Sequence, residues 1–365
     1  MRVLIVTGSS GGHIFPAIAL SDSLKNSGQE VLLVLPQKSR KDKIPIAPGQ
    51  IKYIPAAVLN FNLSSKNILG LWFFLWGAWE SLRIIIKFKP DVVVGFGSLN
   101  TLALIFWAWL FRIKTIIHEQ NVICGRANRL LAKLVDRVAV SFSQTRDGLN
   151  IAGEKIVLTG NPLRRDLVRL DKKEALDFFK FKEGKFTILI TGGSQGSHRL
   201  NAVCLEVLSA HQKKDDLQVI HISGTQDFSW LAAGYASSTL TYKLFDFLSQ
   251  MQYAYSLADL IICRAGATTI AELQKFRIPA ILIPYPFVYA HQLANAQVLE
   301  NLKAALIIHD QELTPDKLRG KFTELLADPQ KLESMRQAYT QLQVFDATQL
   351  LAKEVLTSGC KGCYV

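Results

Sequence analysis

The residues of this chain best suited to chemistry lie in short stretches that each follow an apolar run. The first stretch, Gly8-Ser9-Ser10-Gly11-Gly12-His13, opens an amphipathic segment that carries Pro16. Glycines at such a turn let a ligand approach the backbone, and a helix behind it presents its first amides to an anion. The pattern is neither G-x-G-x-x-G nor a Walker loop. The second apolar run ends in Leu35-Pro36-Gln37, without the acid that a dinucleotide ribose would call for. His13 reads equally as a general base, because an imidazole titrates near neutrality, and as a hydrogen-bonded turn histidine.

A second glycine loop, Gly192-Gly193-Ser194-Gln195-Gly196, follows another apolar run and opens a helix. Its amides and the Ser194 hydroxyl suit a pyrophosphate, and a plain structural turn is the other reading. In Arg264-Ala265-Gly266-Ala267-Thr268-Thr269-Ile270-Ala271-Glu272, the small residues form a turn and Glu272 falls early on the next helix. A carboxylate there can accept two hydrogen bonds from a ribose diol while the turn amides meet phosphate; a solvated helix glutamate would look the same. His118-Glu119-Gln120-Asn121 closes a strand with four polar side chains, which is hard to explain as surface decoration. Gln292 and Asn295 stand three apart on one helix face, where they could read sugar hydroxyls or form a polar stripe.

The elements that must position these groups show in the pattern of strands. Candidate strands are 3–7, 31–35, 91–95, 115–118 and 137–140 in the first half, then 186–191, 218–222, 260–263, 280–284 and 304–308. Runs apolar on both faces imply parallel strands covered by helices, and their alternation with amphipathic stretches implies βαβ units. Two such sets, each opening on a glycine turn, predict an α/β chain of two doubly wound, Rossmann-like domains, with ligands in a cleft at the carboxyl ends of the strands. The turn Gly160-Asn161-Pro162 marks the junction. It gives an N-terminal domain over 1–162 and a C-terminal domain over 163–342, with a last helix over 343–358 packing back on the first domain.

At 365 residues the chain is too long for one ordinary core. It is 49% hydrophobic and 20% charged, and nothing in it reads as disordered. A net charge of +12 favours anionic partners, and with no long basic run or nucleic-acid module a membrane surface or phosphorylated substrate fits better than nucleic acid. The opening residues run straight into a strand pattern without a signal peptide, so a cytosolic setting is expected. Cys360 and Cys363 form a Cys-x-x-Cys with no second ligand pair, which reads as a frayed tail better than as a metal or redox site. Around Trp72, Trp76 and Trp79, and again around Trp107 and Trp109, aromatics cluster beside Arg83, Lys87, Lys89 and Arg112. A buried helix could be this apolar, but the pairing of Trp with basic residues suits a membrane interface. The run 92–111 is long enough to cross a bilayer, yet Gly95-Phe96-Gly97-Ser98 breaks it into strand, turn and helix.

Together these stretches resemble the MurG family of peptidoglycan N-acetylglucosaminyltransferases, nearly in that family's order and over most of the chain. The resemblance implies two facing domains of the GT-B type and transfer of N-acetylglucosamine from UDP-N-acetylglucosamine to a muramyl-pentapeptide carried on undecaprenyl pyrophosphate. It implies work at the cytoplasmic face of the membrane, without cofactor or metal. Carried over by motif, Ser10, Gly11, Gly12 and Asn121 would face the transferred sugar, and Arg164 and Ser194 the nucleotide diphosphate. The Leu248 backbone would meet uracil, Ala267, Thr268 and Thr269 would supply turn amides, Glu272 would hold the ribose, and Gln292 the sugar hydroxyls. His13 would be the base, with Glu119 as substitute. Gly95, Gly97 and Ser98 would help hold the acceptor's pyrophosphate, but there the chain departs from the family's Gly-x-Gly-Gly-Tyr: Ser98 and Leu99 replace a glycine and the tyrosine. A transferase for another lipid such as diacylglycerol, a UDP-sugar epimerase of the same architecture and a catalytically idle donor-binding scaffold are the rival readings; a dinucleotide oxidoreductase is the weakest.

Overall fold

The computed structural model describes residues 1–37, 50–55, 66–286, 291–342 and 346–359. Cys360, Cys363 and the side chains of 66–71, 74 and 100 lie outside them. The chain forms two compact units, Met1–Arg164 with Phe345–Val365, and Arg165–Val344.

In the first unit, β1 (Arg2–Thr7), α1 (Gly11–Asn26), β2 (Glu30–Pro36) and β3 (Ile51–Ile54) come first. Then follow α2 (Lys66–Phe88), β4 (Val92–Phe96), α3 (Leu99–Leu110), β5 (Lys114–Glu119), α4 (Arg126–Leu131), β6 (Arg137–Val140) and β7 (Ile156–Leu158). All pairings are parallel, in the order β3-β2-β1-β4-β5-β6-β7. The apolar run of β1 explains its central place. Because side chains alternate along a strand, Val3 and Ile5 enter one core, with residues of α1, and Leu4 and Val6 enter the other, with residues of α3.

The second unit begins with α5 (Lys172–Phe179), β8 (Phe186–Thr191), α6 (His198–Ser209), β9 (Leu217–Ile222) and α7 (Phe228–Ala236). β10 (Thr241–Phe245), α8 (Met251–Leu257), β11 (Leu260–Cys263), α9 (Ala267–Phe276) and β12 (Ala280–Leu282) continue it. It closes with α10 (His291–Asn301), β13 (Ala305–Ile307), α11 (Pro315–Ala327) and α12 (Pro329–Ala338). The sheet runs β10-β9-β8-β11-β12-β13, again all parallel. The order reverses beside β1 in one unit and beside β8 in the other, so the glycine turns after those strands lie at the topological switch points. The last helix, α13 (Ala347–Gly359), buries Leu351, Ala352 and Val355 in the α1 layer of the first unit.

Every strand expected from the apolar runs is present. The pattern did not disclose β3, β7 and β10, all edge strands with half-buried residues and, in β3 and β10, exposed or half-buried polar groups such as Lys52, Thr241 and Lys243. An edge strand in a parallel sheet lacks the continuous apolar run of a central one.

Each unit also buries a histidine on a strand of its sheet. His118, at the end of β5, is fully buried, and burial pulls its imidazole down to about 4, outweighing the Gly160 carbonyl and Glu119, which favour the charged ring. His221 of β9 falls to about 3, again through burial, and bonds Tyr235 Oη at 2.8 Å and Asn201 Oδ1 at 3.0 Å. In the unfolded chain both rings titrate near 6.5, so the unfolded state takes up protons first. The stability they contribute is complete above that value and is lost as pH falls towards 4 and 3. We expect unfolding free energy from urea titrations to drop between pH 6.5 and 4.5, by on the order of 1–3 kcal/mol per histidine. In His221→Asn the slope over that interval should be shallower, whatever the absolute stability.

Candidate active site

β1 hands the chain to α1 through Gly8, Ser9 and Ser10. Ser10 takes the N-cap position in extended backbone (φ −84°, ψ 151°), and its carbonyl accepts bonds from the His13 and Ile14 amides, both at 3.0 Å. An N-cap serine ordinarily turns its hydroxyl onto the helix amides. Here no such cap forms, and Ser10 Oγ lies 2.9 Å from His13 Nδ1. A methyl on Gly8 would come 2.8 Å from that same Nδ1, so glycine there makes room for the ring. A methyl on Gly97 would lie 3.5 Å from His13 Nε2 and 3.4 Å from Asn128 Nδ2. The imidazole thus offers Nδ1 to Ser10 and carries Nε2 beside Gly97, on the β4–α3 turn.

Glu119 is the hub of the next loop. It is 2% exposed, and its two oxygens accept from four donors. Oε1 takes the Asn121 amide at 3.0 Å and Asn121 Nδ2 at 3.1 Å; Oε2 takes the Gly125 amide at 3.0 Å and Asn128 Nδ2 at 2.9 Å. The carboxylate therefore folds residues 120–128 around itself and sets the Asn121 side chain. His118 reaches in a different direction, with Nε2 at 2.9 Å from the Gly160 carbonyl and Nδ1 at 3.3 Å from Gln120 Nε2. Arg164, the last residue of this unit's main segment, lays its guanidinium 5.5 Å from the centre of the Phe15 ring on α1.

In the second unit, two strand-to-helix turns stand together. The turn after β8 contains the exposed Ser194 and leads into α6, whose N-cap Ser197 makes no side-chain cap. The Ser197 hydroxyl instead accepts from Arg264 Nη2 at 2.7 Å. Arg264, 8% exposed, donates Nη1 to the Ile283 carbonyl at 3.1 Å and to Asp310 at 2.5 Å. Its charge is met by Asp310, so it ties three loops together. After β11 the turn enters α9 at Gly266, also uncapped by a side chain, with Ala267, Thr268 and Thr269 in the first helical turn. By contrast α5, α11 and α12 are capped by Asp171, Thr314 and Asp328.

Gln292 and Asn295 do share a face, and both reach the β11–α9 turn. Gln292 Oε1 accepts from the Ala265 amide at 3.1 Å and the Tyr285 amide at 3.0 Å, and Asn295 Nδ2 donates to the Ala265 carbonyl at 3.3 Å. The Gln292 side-chain carbonyl is therefore spent on the backbone. Glu272 accepts from Tyr255 Oη at 2.7 Å. Leu248, 7% exposed, lies between β10 and α8. Gly95 does not join the His13 group: it lies within β4, and the side chain it lacks would press on Thr101 and Ile105 of α3.

Sequence reasoning missed Asn128, Asn201, Tyr255 and Gly224. Gly224 (φ +78°) follows β9 and packs on Gly196 (φ +76°): a Cβ on Gly224 would lie 2.7 Å from the Gly196 Cα. Its signal, a glycine just after an apolar strand, was the same one that marked the other turns. The other three bind partners distant in sequence, which spacing does not disclose.

Two family models match the chain: the glycosyltransferase family 28 N-terminal domain over residues 3–140 and the C-terminal domain over 187–351. A curated protein of Halothermothrix orenii, named UDP-N-acetylglucosamine–N-acetylmuramyl-(pentapeptide) pyrophosphoryl-undecaprenol N-acetylglucosamine transferase, is 37% identical over 93% of this chain and 94% of its own length. The crystal structure of Acinetobacter baumannii MurG superposes with a TM-score of 0.75 at 27% identity, covering 98% of this chain and 99% of that one. UDP-GlcNAc 2-epimerase of Neisseria meningitidis, bound to UDP-GlcNAc, gives a TM-score of 0.71 over 98% of this chain and 100% of its own. At 15% identity that likeness extends to the fold alone.

The β4–α3 turn holds one backbone anomaly. Ser98 sits at φ +77°, directly after Gly97 at φ +76°. A left-handed conformation costs an L-residue with a Cβ roughly 1–2 kcal/mol, part of which glycine would give back in unfolded-chain entropy. Ser98→Gly should therefore raise the denaturant midpoint of the first unit, by about 0.5–1 kcal/mol of stability. A lower midpoint would mean that the serine hydroxyl holds the turn more strongly than its backbone strains it.

Proposed function

This chain belongs to glycosyltransferase family 28, and from that premise we propose that it transfers N-acetylglucosamine from UDP-N-acetylglucosamine to the 4-hydroxyl of undecaprenyl-pyrophosphoryl-N-acetylmuramoyl-pentapeptide, a step of peptidoglycan synthesis. The relatives that carry this activity in their names match at more than twice the identity of the epimerase, which favours transfer over epimerisation.

His13 is the base. The observation that carries the assignment is the Ser10–His13 pair at 2.9 Å, in a turn whose serine forgoes its cap. With the Nδ1 proton donated to Ser10 Oγ, the lone pair rests on Nε2, beside the acceptor-loop residues Gly97 and Ser98. Nε2 takes the proton of the muramyl 4-hydroxyl as its oxygen attacks the anomeric carbon. The bond from that carbon to the diphosphate oxygen breaks, its electron pair leaves with uridine diphosphate, and configuration inverts. Glu119, with both oxygens engaged by the loop, orients Asn121 towards the sugar and leaves proton transfer to His13.

The donor is read by the second unit. Amides of the uncapped α6 and α9 termini and the Ser194 hydroxyl meet the diphosphate, with Arg164 adding charge against the leaving group. Leu248 offers backbone to uracil, Glu272 accepts from the ribose, and the Gln292 amide donates to the sugar. His13→Ala should lower kcat by about 10²–10⁴-fold with donor affinity close to wild type. The assay is uridine diphosphate release with and without a short-chain lipid acceptor. Donor binding lost along with turnover would remove His13 from the base role, and release without acceptor would return the weight to hydrolysis or epimerisation.

The acceptor's lipid implies a membrane surface. Among the described residues no helix is long and apolar enough to cross one. On α2, Trp72, Trp76 and Trp79 stand on one face and are 64%, 48% and 58% exposed. On α3, Phe106, Trp109 and Leu110 are exposed too, while Trp107 is tied to α2 by its indole N–H on the Ala78 carbonyl at 2.9 Å. Exposed Arg83, Lys87, Lys89 and Arg112 flank this face, which docks peripherally on the anionic cytoplasmic leaflet. Replacing Trp72, Trp76 and Trp79 together by Glu should weaken sedimentation with anionic vesicles by roughly tenfold or more, while turnover of a soluble short-chain acceptor holds. Equal vesicle binding by the triple variant would move the docking face elsewhere.

A further inference from the structure

Tyr255 has no part in the roles just described, yet it is buried and bonded to one of the proposed donor residues. It lies on α8, 3% exposed, and its hydroxyl donates to Glu272 Oε2 at 2.7 Å. That distance is typical of a charge-assisted bond from a hydroxyl to a carboxylate. A buried phenol needs a partner for its proton, and a carboxylate three torsions from its backbone needs something to stop its rotation. The ring is held in turn against Phe276, at 5.1 Å between centres, and Phe276 is the last residue of the helix that carries Glu272. One end of Tyr255 therefore packs on the end of α9, and the other fixes a carboxylate within it.

The chain path adds a second link. α8 begins three residues after Leu248, the residue placed at the base. Tyr255 thus connects the helix entered from the base-reading segment to the group that would read the ribose.

We propose that Tyr255 is a positioning residue for donor recognition, setting the Glu272 carboxylate so that it accepts from the ribose hydroxyls of the uridine diphosphate sugar. This rests on the assignment of Glu272 to the ribose. Tyr255 donates to Oε2 and so fixes the plane in which the carboxylate meets the diol. Removing that bond takes away one of the contacts that order the carboxylate before binding, and the entropy of restoring that order is taken from donor affinity.

Tyr255→Phe keeps the ring and its packing and removes one oxygen. Its KM for UDP-N-acetylglucosamine should rise by roughly 3–10-fold with kcat nearly unchanged, the size expected for one hydrogen bond to a charged group acting through another residue. The donor whose nucleoside lacks both ribose hydroxyls separates positioning from packing. With it, wild type and Tyr255→Phe should share one KM, because no diol remains to be met. An equal KM for the two proteins with the natural donor overturns the proposal, and so does a rise of the same size with the dideoxy donor, which would mark a packing defect. Glu272→Gln tests the underlying reading by itself. A large KM rise in Glu272→Gln with none in Tyr255→Phe refutes the positioning role alone, and no rise in Glu272→Gln refutes the ribose assignment and the proposal with it.

Discussion

A parallel strand must pass its chain to a helix within a few residues, and the first amides of that helix have no partners inside it. How those amides are treated governs the rest of this molecule. Asp171, Thr314 and Asp328 cap their helices in the ordinary way, while Asp227 and Gln250, at the starts of α7 and α8, do not. At the turns after β1, β8 and β11 no side chain does so. Two of those N-caps are serines, which could cap, and both hydroxyls are turned elsewhere: Ser10 to His13 and Ser197 to Arg264. Forgoing a cap costs about 1 kcal/mol per helix. In return the first unit gains an imidazole of defined orientation, and the second gains a loop anchored by Arg264, with the first amides of α6 and α9 left without a side-chain cap.

Such turns need bracing, because they cannot rest on their own helices. The first unit uses a buried carboxylate whose four bonds all go to one loop, and the second uses a buried guanidinium that reaches three. Each is a buried charge that would be costly if unpaired, so each holds its loops only because every partner is in place. Gln292 does similar work without charge, joining the Ala265 and Tyr285 amides through one carbonyl. Glu119 and Gln292 are therefore structural through the oxygens that make these bonds, and on the proposed function they serve the ligand only through what they position or through their other atoms.

This doubling of roles explains what could be read in the sequence and what could not. Central strands were legible because both faces of each are buried, so the apolar run is continuous; β3, β7 and β10 lie at edges and break that rule. The turns were legible because glycines and small residues after a strand have few other uses. The direction of a bond was not legible. Nothing local distinguishes a Glu119 that takes a proton from one that holds Asn121, Gly125 and Asn128, since the partners lie two, six and nine residues away. Tyr255 is harder still, seventeen residues from Glu272 across a strand and a turn. Family resemblance pointed to the residues, and the hydrogen bonds show which of their atoms the fold already uses.

The surface follows a different logic from the site. Much of the +12 charge lies in dispersed lysines and arginines, and dispersed charge acts over about a Debye length, roughly 8 Å at physiological salt. It can draw the molecule to an anionic leaflet but cannot fix its orientation. Orientation needs contacts of shorter range, and the only ones on offer among the described residues of α2 and α3 are the exposed indoles and phenyls of one helix pair. α2 also contributes Ile85 to the apolar layer beneath the sheet, together with Leu104, Ile105 and Ala108 of α3. The exposed aromatic face is thus the outer side of helices whose inner side is core. Because α3 begins directly after Gly97 and Ser98, its exposed aromatics and the turn beside His13 belong to one continuous stretch of chain. On the function proposed above, that continuity carries a lipid-linked acceptor from the aromatic face to the turn beside the proposed base, and among the described residues no helix is long and apolar enough to cross a membrane.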